Sequence, residues 1–259
     1  MLFDATNLTT PASCRRKTQN MSIKKYIISI LVTVCACSCA ADFTMQYRDV
    51  TMGNFTDGTF ISDQGLTFDI VDNLYPVDPD TVQRAIISCD ILSFNSEEGK
   101  YTVRLTDLCP VFTKEPVDST LVTEEDIFAE DGMHINEIWY AAGYLNLHTY
   151  IPVKENSSQA HLINLVRNDK NEAEGVYEFS LKHNAYGEVI TSESTDMILA
   201  SEYISFPVAY LFKEDEQKVQ IVFKWTSYEE QDGKLTPATK KNTTTLDIER
   251  GGYEHKHQK

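Results

Sequence analysis

The sequence predicts an all-β protein, a small OB-like barrel followed by an immunoglobulin-like β-sandwich. Three observations carry that expectation. Apolar and polar residues alternate with period two from end to end while helical periodicity is almost absent, the alternating runs are punctuated by Gly, Asp, Asn and Pro turns, and one acidic stretch without sustained alternation divides them into two groups.

In the first group, residues 44–52, 66–70, 83–94 and 101–108 read as strands. Between them lie Asp57-Gly58, Asp63-Gln64-Gly65 and the proline-rich Tyr75-Pro-Val-Asp-Pro-Asp80. Four or five strands in about 70 residues suit a small barrel such as an OB-fold, placed at residues 43–117; a twisted meander is the competing arrangement. The stretch from Lys114 to Gly132 is acidic, and residues 118–132 are expected to be a linker. Its carboxylates lack the Asp-x-Asp-x-Asp-Gly spacing that converges oxygens on calcium, so it reads as a solvated connector.

The second group fills residues 133–250. Tyr144-Leu-Asn-Leu-His-Thr-Tyr-Ile151 places Leu145, Leu147 and Ile151 on one face and Tyr144, Asn146, His148 and Tyr150 on the other. Strands are expected at 161–166, 176–183, 203–211, 219–225 and 243–248, with Val219, Ile221, Phe223 and Trp225 as a bulky inward row. Six or more strands between polar turns indicate a sandwich of immunoglobulin-like size. Residues 251–259 are expected to form a loose tail.

The run Met21-Ser-Ile-Lys-Lys-Tyr-Ile-Ile-Ser-Ile-Leu-Val-Thr-Val-Cys-Ala-Cys-Ser-Cys39 joins two lysines, a short apolar core, and small residues with cysteines. The core is shorter than the roughly 17–25 apolar residues that cross a bilayer but has the length of a signal-peptide core. A cysteine behind small residues is the acceptor in lipoprotein export signals, which makes Cys37 the first choice for acylation and Cys39 the second. The competing expectation is a secreted protein cut near Ala40 or Ala41. Residues 1–36 are thus an export signal, with 1–20 as an over-long start, and 37–42 a lipid-anchored tether. Neither Ser38 nor Ala40 is the aspartate that retains lipoproteins at the inner membrane, so the expected location is the cell envelope, at the outer membrane, held by N-terminal acyl chains.

Over all 259 residues, 23 Lys and Arg face 39 Asp and Glu, a formal charge of −16. Removing residues 1–36 takes away Arg15, Arg16, Lys17, Lys24, Lys25 and Asp4 and leaves 18 basic and 38 acidic residues, a charge of −20. Such a surface repels phosphate backbones and anionic head groups, which argues against a nucleic-acid partner. Four of the six cysteines lie in or before the signal, leaving Cys89 and Cys109 in the folded part. If Asn95 pairs with Lys100, Cys89 lies opposite Thr106 and Cys109 opposite Ile86, with the thiols on opposite faces, so no disulfide between them is favoured; a one-residue bulge would reverse this.

Several strings of the second group resemble one known family. Ile135-Asn-Glu-Ile-Trp-Tyr-Ala-Ala-Gly-Tyr-Leu-Asn-Leu147, His161-Leu-Ile-Asn-Leu-Val166, Glu178-Phe-Ser-Leu-Lys-His-Asn-Ala-Tyr-Gly187 and Tyr203-Ile-Ser-Phe206 look like the C-terminal domain of the NigD-like lipoproteins. The resemblance runs from Asn136 to Trp225; Gly65-Leu-Thr-Phe68, Arg84-Ala-Ile-Ile87 and Tyr101-Thr-Val-Arg-Leu-Thr-Asp107 extend it loosely into the first domain. It implies a lipid-acceptor cysteine, an N-terminal OB-like barrel and a C-terminal β-sandwich. The family takes its name from a bacteriocin-associated gene cluster and brings no catalytic residues; the shared tryptophan, tyrosines and glycine fit core packing and turn geometry.

No Gly-x-Ser-x-Gly elbow, phosphate-cradling glycine loop or His-Glu-x-x-His helix occurs. His134, His148, His161 and His183 lie at or near strands, where three converging imidazoles would bind zinc; lone surface or hydrogen-bonded histidines are the expected outcome, with neither metal nor cofactor. Tyr144, Asn146, His148 and Tyr150 form the candidate recognition face, for a protein or glycan partner, unless the first domain covers it. Asp80-Thr81-Val82 and Asp118-Ser119-Thr120 match a three-residue O-glycosylation pattern of some anaerobic bacteria, with Ser119 preferred to Thr81. The sequence is read as a non-enzymatic, lipid-anchored accessory or binding module; a bacteriocin-associated protective or export role is the alternative, and a glycan-active enzyme the third reading.

Overall fold

The computed structural model describes residues 45–74, 82–119, 129–168, 175–191, 196–231 and 234–247. Its first unit is a closed barrel of five strands, β1 (Met45–Thr56), β2 (Thr59–Ser62), β3 (Thr67–Asn73), β4 (Arg84–Asn95) and β5 (Lys100–Pro110). The order around the barrel is β1-β2-β3-β5-β4, with β3 and β5 running parallel and all other pairs antiparallel. That order with one parallel closure is the OB-like arrangement. Asp57 and Gly58 carry φ of 50° and 77°, both in the left-handed region, as the two-residue β1–β2 hairpin requires. Gly53 pairs with Ser62 on one side and Ala85 on the other. A Cβ there would stand 2.2 Å from the Ile61 carbonyl oxygen, so only glycine lets β1 bend across both neighbours. Phe60, Phe68, Ile87, Val103, Leu105 and Leu108 fill the interior.

The second unit packs two sheets face to face. One has the order β14-β13-β11-β10-β7, from Val117–Asp118 (β7), Leu162–Arg167 (β10), Val176–Asn184 (β11), Lys218–Gln231 (β13) and Lys234–Asp247 (β14). The other has the order β6-β12-β9-β8, from Phe112–Thr113 (β6), His134–Ala141 (β8), Tyr144–Lys154 (β9) and Met197–Pro207 (β12). Leu145, Leu147, Phe179, Phe206, Ile221 and Phe223 meet between them with almost no solvent contact. Alternation produces this directly: β11 reads half-buried, buried, half-buried along its whole length. Val219, Ile221, Phe223 and Trp225 do point inward, Trp225 at the margin.

Several boundaries differ from the sequence reading. The chain joins the sandwich at Phe112, because β6 pairs in parallel with β12 and β7 with β10. Residues 112–118 therefore belong to neither a barrel ending at 117 nor a linker starting at 118. The expected linker's far end, Ala129 to Asp131, is hydrogen-bonded to His183. Two-residue strands beside Pro110 and Pro116 show no alternation, and their partners lie some 50 to 90 positions away in sequence, so nothing local marks them. The four-residue β2 is too short to signal itself. The strand expected through residue 211 stops at Pro207, and Ala209–Leu211 form a 3-10 turn.

Candidate functional site: the outer face of the four-stranded sheet

The outer face of β9 carries Tyr144, Asn146, His148 and Tyr150, as alternation requires, but the structure divides the row in two. Tyr144 and Asn146 lie under the barrel with 2% and 0% of their surface exposed. The cause is Arg84, the first residue of β4, which reaches from the barrel into the sandwich. Its Nε–H donates to Ser205 Oγ (2.9 Å), Nη1 to Asn54 Oδ1 (3.1 Å) and Asp63 Oδ1 (2.9 Å), and Nη2 to Asp63 Oδ2 (2.7 Å) and Asn146 Oδ1 (2.9 Å). All five guanidinium N–H bonds thus find acceptors, the full inventory of the side chain. The guanidinium carbon sits 4.1 Å from the centre of the Tyr144 ring, a cation–π contact.

The same bonds orient Asn146. Its Oδ1 accepts from Arg84 and from Ser205 Oγ–H (2.6 Å), leaving Nδ2 to donate to the Tyr144 carbonyl (3.3 Å). Burial pushes the Asp63 carboxyl above the usual range although Arg84 pulls it down. At Asp63 desolvation therefore outweighs attraction, while the Arg84 bonds to Ser205 and Asn146 tie barrel to sandwich. Two of the four sequence-picked recognition residues, Tyr144 and Asn146, are accordingly seam residues, closed to a partner.

The other half of the row remains at the surface. His148 stacks on Tyr203 of β12 (4.5 Å between ring centres, 9° between planes), Tyr150 lies 5.2 Å from His148, and His134 of β8 lies 6.0 Å from Tyr150. These four rings come from three adjacent strands whose register sets them side by side: Tyr203 opposite His148, and His134 opposite Tyr150. His134 is exposed, and the other three are half-buried. His148 Nδ1 faces the Asn136 amide (3.1 Å) and Nε2 faces Ser201 Oγ (2.9 Å). With the Asn136 N–H donating to Nδ1, the proton sits on Nε2, and burial holds the imidazole below its usual pKa against the pull of Glu137. The result is an imidazole held toward its neutral form and stacked on Tyr203. Leu199, 58% exposed, extends β12's outer face beyond it.

His161 and His183 meet elsewhere, beyond the opposite end of β9, at 3.0 Å, next to Glu188. Ser157 donates to Glu188, so the carboxylate, not an imidazole, stands between serine and histidine, and the order of a serine-nucleophile triad is absent there. Among the described residues no group of three or more His, Cys, Asp or Glu could hold a metal ion. Cys89 is a free thiol inside the barrel, and burial, with Asp90 adding to it, pushes it up to about 11. Cys109 pairs with Ile86 as expected, but Cys89 lies opposite Leu105 rather than Thr106, because one extra residue on β4 and one on β5 shift the register and then restore it. The two sulfurs stay on opposite faces. Cys89 is free and Cys109 is disulfide-bonded, so the two are not joined to each other. Ser119 Oγ is buried, which withdraws that hydroxyl from a glycosylating enzyme once the chain has folded. Thr81, Cys37 and Cys39 lie outside the described residues.

Sequence reasoning missed Arg84, Asp63, Ser205, Tyr203 and Glu188. A charge opening the apolar run Arg84-Ala-Ile-Ile87 was the one local sign of a buried guanidinium. Tyr203 had no such sign, since only pairing across 55 positions sets it on His148.

No curated protein matches the chain. Among solved structures it is similar to a NigD-like immunity protein from Bacteroides caccae ATCC 43185, with 21% identity over 76% of this chain and 93% of that one and a TM-score of 0.54. It is also similar to a candidate toxin-related protein from Parabacteroides distasonis ATCC 8503 (20% identity, 74% and 90% covered, TM-score 0.50) and a candidate lipoprotein from Bacteroides fragilis NCTC 9343 (12%, 80% and 100%, TM-score 0.54). At these identities the likeness is one of fold, and it spans both units. Residues 114–237, which begin beside β6 and reach into β14, match the model of the NigD-like C-terminal beta sandwich domain, so the second unit of this chain is similar to that domain.

Proposed function

We propose that the protein is a non-enzymatic, lipid-anchored envelope protein that works as a binding module, with the four-ring row of His134, Tyr150, His148 and Tyr203 as its contact surface. The observation that supports this is the preorganised stack itself. Rigid aromatic groups offer contact area at small entropic cost, and here the hydrogen bonds of His148 and the interdomain anchor of Arg84 hold the sheet beneath them. A partner would be a protein or a glycan, since both use aromatic faces flanked by polar groups. A photo-crosslinking residue at Tyr150, compared with one at Thr243 on the far sheet, tests the surface in intact cells. Crosslinks confined to Tyr150 support the reading; equal yields from both positions overturn it.

The similarity to an immunity protein and a toxin-related protein supports a bacteriocin-associated role as the second reading. Protection of a sensitive strain by expression of this chain would establish it. The envelope location rests on the signal-like segment and on the likeness to a candidate lipoprotein. Mass spectrometry of the mature N-terminus is expected to find acyl chains on Cys37; an unacylated terminus at Ala40 or beyond would remove the anchor.

A further inference from the structure

Three segments far apart in sequence are tied together around two imidazoles beyond the end of β9 that points away from the barrel. His161 Nδ1 lies 3.0 Å from His183 Nε2, His161 Nε2 lies 3.4 Å from Glu188 Oε2, and His183 Nδ1 lies 3.3 Å from the Asp131 carbonyl oxygen. Glu188 also accepts the Lys154 N–H (3.0 Å) and the Ser157 hydroxyl, and the Asp131 carboxylate accepts the Ala185 N–H (2.7 Å). The chain of bonds thus joins the β9–β10 connection, the β11–β12 connection and the segment before β8. His183 is 2% exposed, and the His161 and Glu188 side chains 5% and 7%.

One placement of the protons satisfies every acceptor along this chain. A carbonyl oxygen only accepts, so His183 carries its proton on Nδ1 and, when neutral, offers a lone pair on Nε2. His161 must then donate from Nδ1 to that lone pair and from Nε2 to the Glu188 carboxylate. With a proton on each nitrogen, His161 would carry a charge that Glu188 faces across 3.4 Å.

We propose that Glu188, His161 and His183 form an acid-sensitive latch at this end of the sandwich, shut by the proton His161 shares with Glu188 and opened when a further proton reaches His183. A protonated His183 would turn an Nε2–H donor toward the Nδ1–H of His161, two like charges with no acceptor between them. The other charged and titratable groups nearby are Asp131; Glu130, which is paired with Lys182; and Tyr228 of β13, bonded to the backbone of Ile190 and Gly132. Asp131 favours charging of His183, but burial first and His161 second outweigh it and lower His183 to about 4. For Glu188 burial works upward, and the bonds from Ser157, Lys154 and His161 bring the carboxyl below its usual range. The signs agree. An imidazole released from the latch takes its proton near 6.5, so the contribution of His183 to closure is fully present above that pH and is lost as pH falls toward 4.

The test uses the mature wild-type chain. Long-range proton–nitrogen NMR at pH 7 is expected to show His161 protonated on both nitrogens and His183 on Nδ1 alone, the signals assigned by their loss in H161Q and H183Q. Amide exchange then reads the latch directly, because the Lys154 and Ala185 N–H bonds exist only when it is shut. Lowering pH from 7 to 4 should raise the opening of these two amides at least about ten-fold, after correction for intrinsic rates. E188Q should open Lys154 already at pH 7. A neutral His161 at pH 7, or Lys154 and Ala185 protection indifferent to pH, would overturn the proposal, and both readings come from the wild type even if a variant fails to fold.

Discussion

Arg84 and Asp63 face each other as a two-pronged ion pair, at 2.9 and 2.7 Å, with 0% and 3% of their side chains in contact with solvent. Both belong to the barrel, yet two of the remaining guanidinium bonds cross to Ser205 and Asn146 of the sandwich. The pair converts a barrel interaction into the seat on which the second unit rests.

Replacing Arg84 with Met should therefore destabilise the protein by about 3–5 kcal/mol, because Asp63 is left buried without its partner. D63N should cost less, since Asn still accepts a hydrogen bond. The double replacement R84M/D63N should be less harmful than R84M alone. Urea denaturation measures all three, and a strictly additive double mutant would show that the two residues do not act as a pair.

Tyr144 and Tyr150 should separate, although they lie on one face of one strand. Tyr144→Ala removes a buried ring and its contact with Arg84, and should lower stability by about 3 kcal/mol. Tyr150→Ala touches a half-buried ring at the free end of the row, and should change stability by less than about 1 kcal/mol. Partner capture should fall about ten-fold in Tyr150→Ala, equivalent to about 1.4 kcal/mol. Thermal melts run beside a capture assay distinguish these outcomes.

Acid should weaken the whole fold through His183. Its pKa falls from 6.5 in the open chain to about 4 in the fold, so the unfolded state binds more protons between those values. Stability should then be constant above pH 6.5 from this source and decline by up to about 3 kcal/mol toward pH 4. Denaturant midpoints between pH 4 and 8 check this, with H183Q expected to flatten the slope.

Gly53→Ala should be among the costliest single-methyl additions in the barrel. The new Cβ would meet the Ile61 carbonyl oxygen at 2.2 Å and the Ser62 Cα at 2.7 Å, and neither backbone can step aside without breaking the β1–β2 ladder. A loss of roughly 1–3 kcal/mol or more is expected, read as a lower melting temperature.

Cys89 should resist alkylation in the native state, since its thiol is buried and pushed up to about 11, leaving little thiolate at neutral pH. Labelling with iodoacetamide followed by mass spectrometry should find it unmodified until denaturant is added.

Period-two alternation, a local property, was enough to establish the all-β class, the two groups of strands and the inward rows such as Val219, Ile221 and Phe223. It also assigned Tyr144, Asn146, His148 and Tyr150 to one face, because consecutive side chains on a strand must point to opposite sides. What covers that face is a non-local question. Burial of Tyr144 and Asn146 depends on Arg84, some 60 residues earlier, and on how the barrel closes onto the sandwich. The short strands β6 and β7 and the pairing of His161 with His183 likewise come from segments brought together by the fold. A sequence states which way a side chain points relative to its neighbours; the tertiary structure alone decides whether water, a guanidinium or another ring stands in front of it.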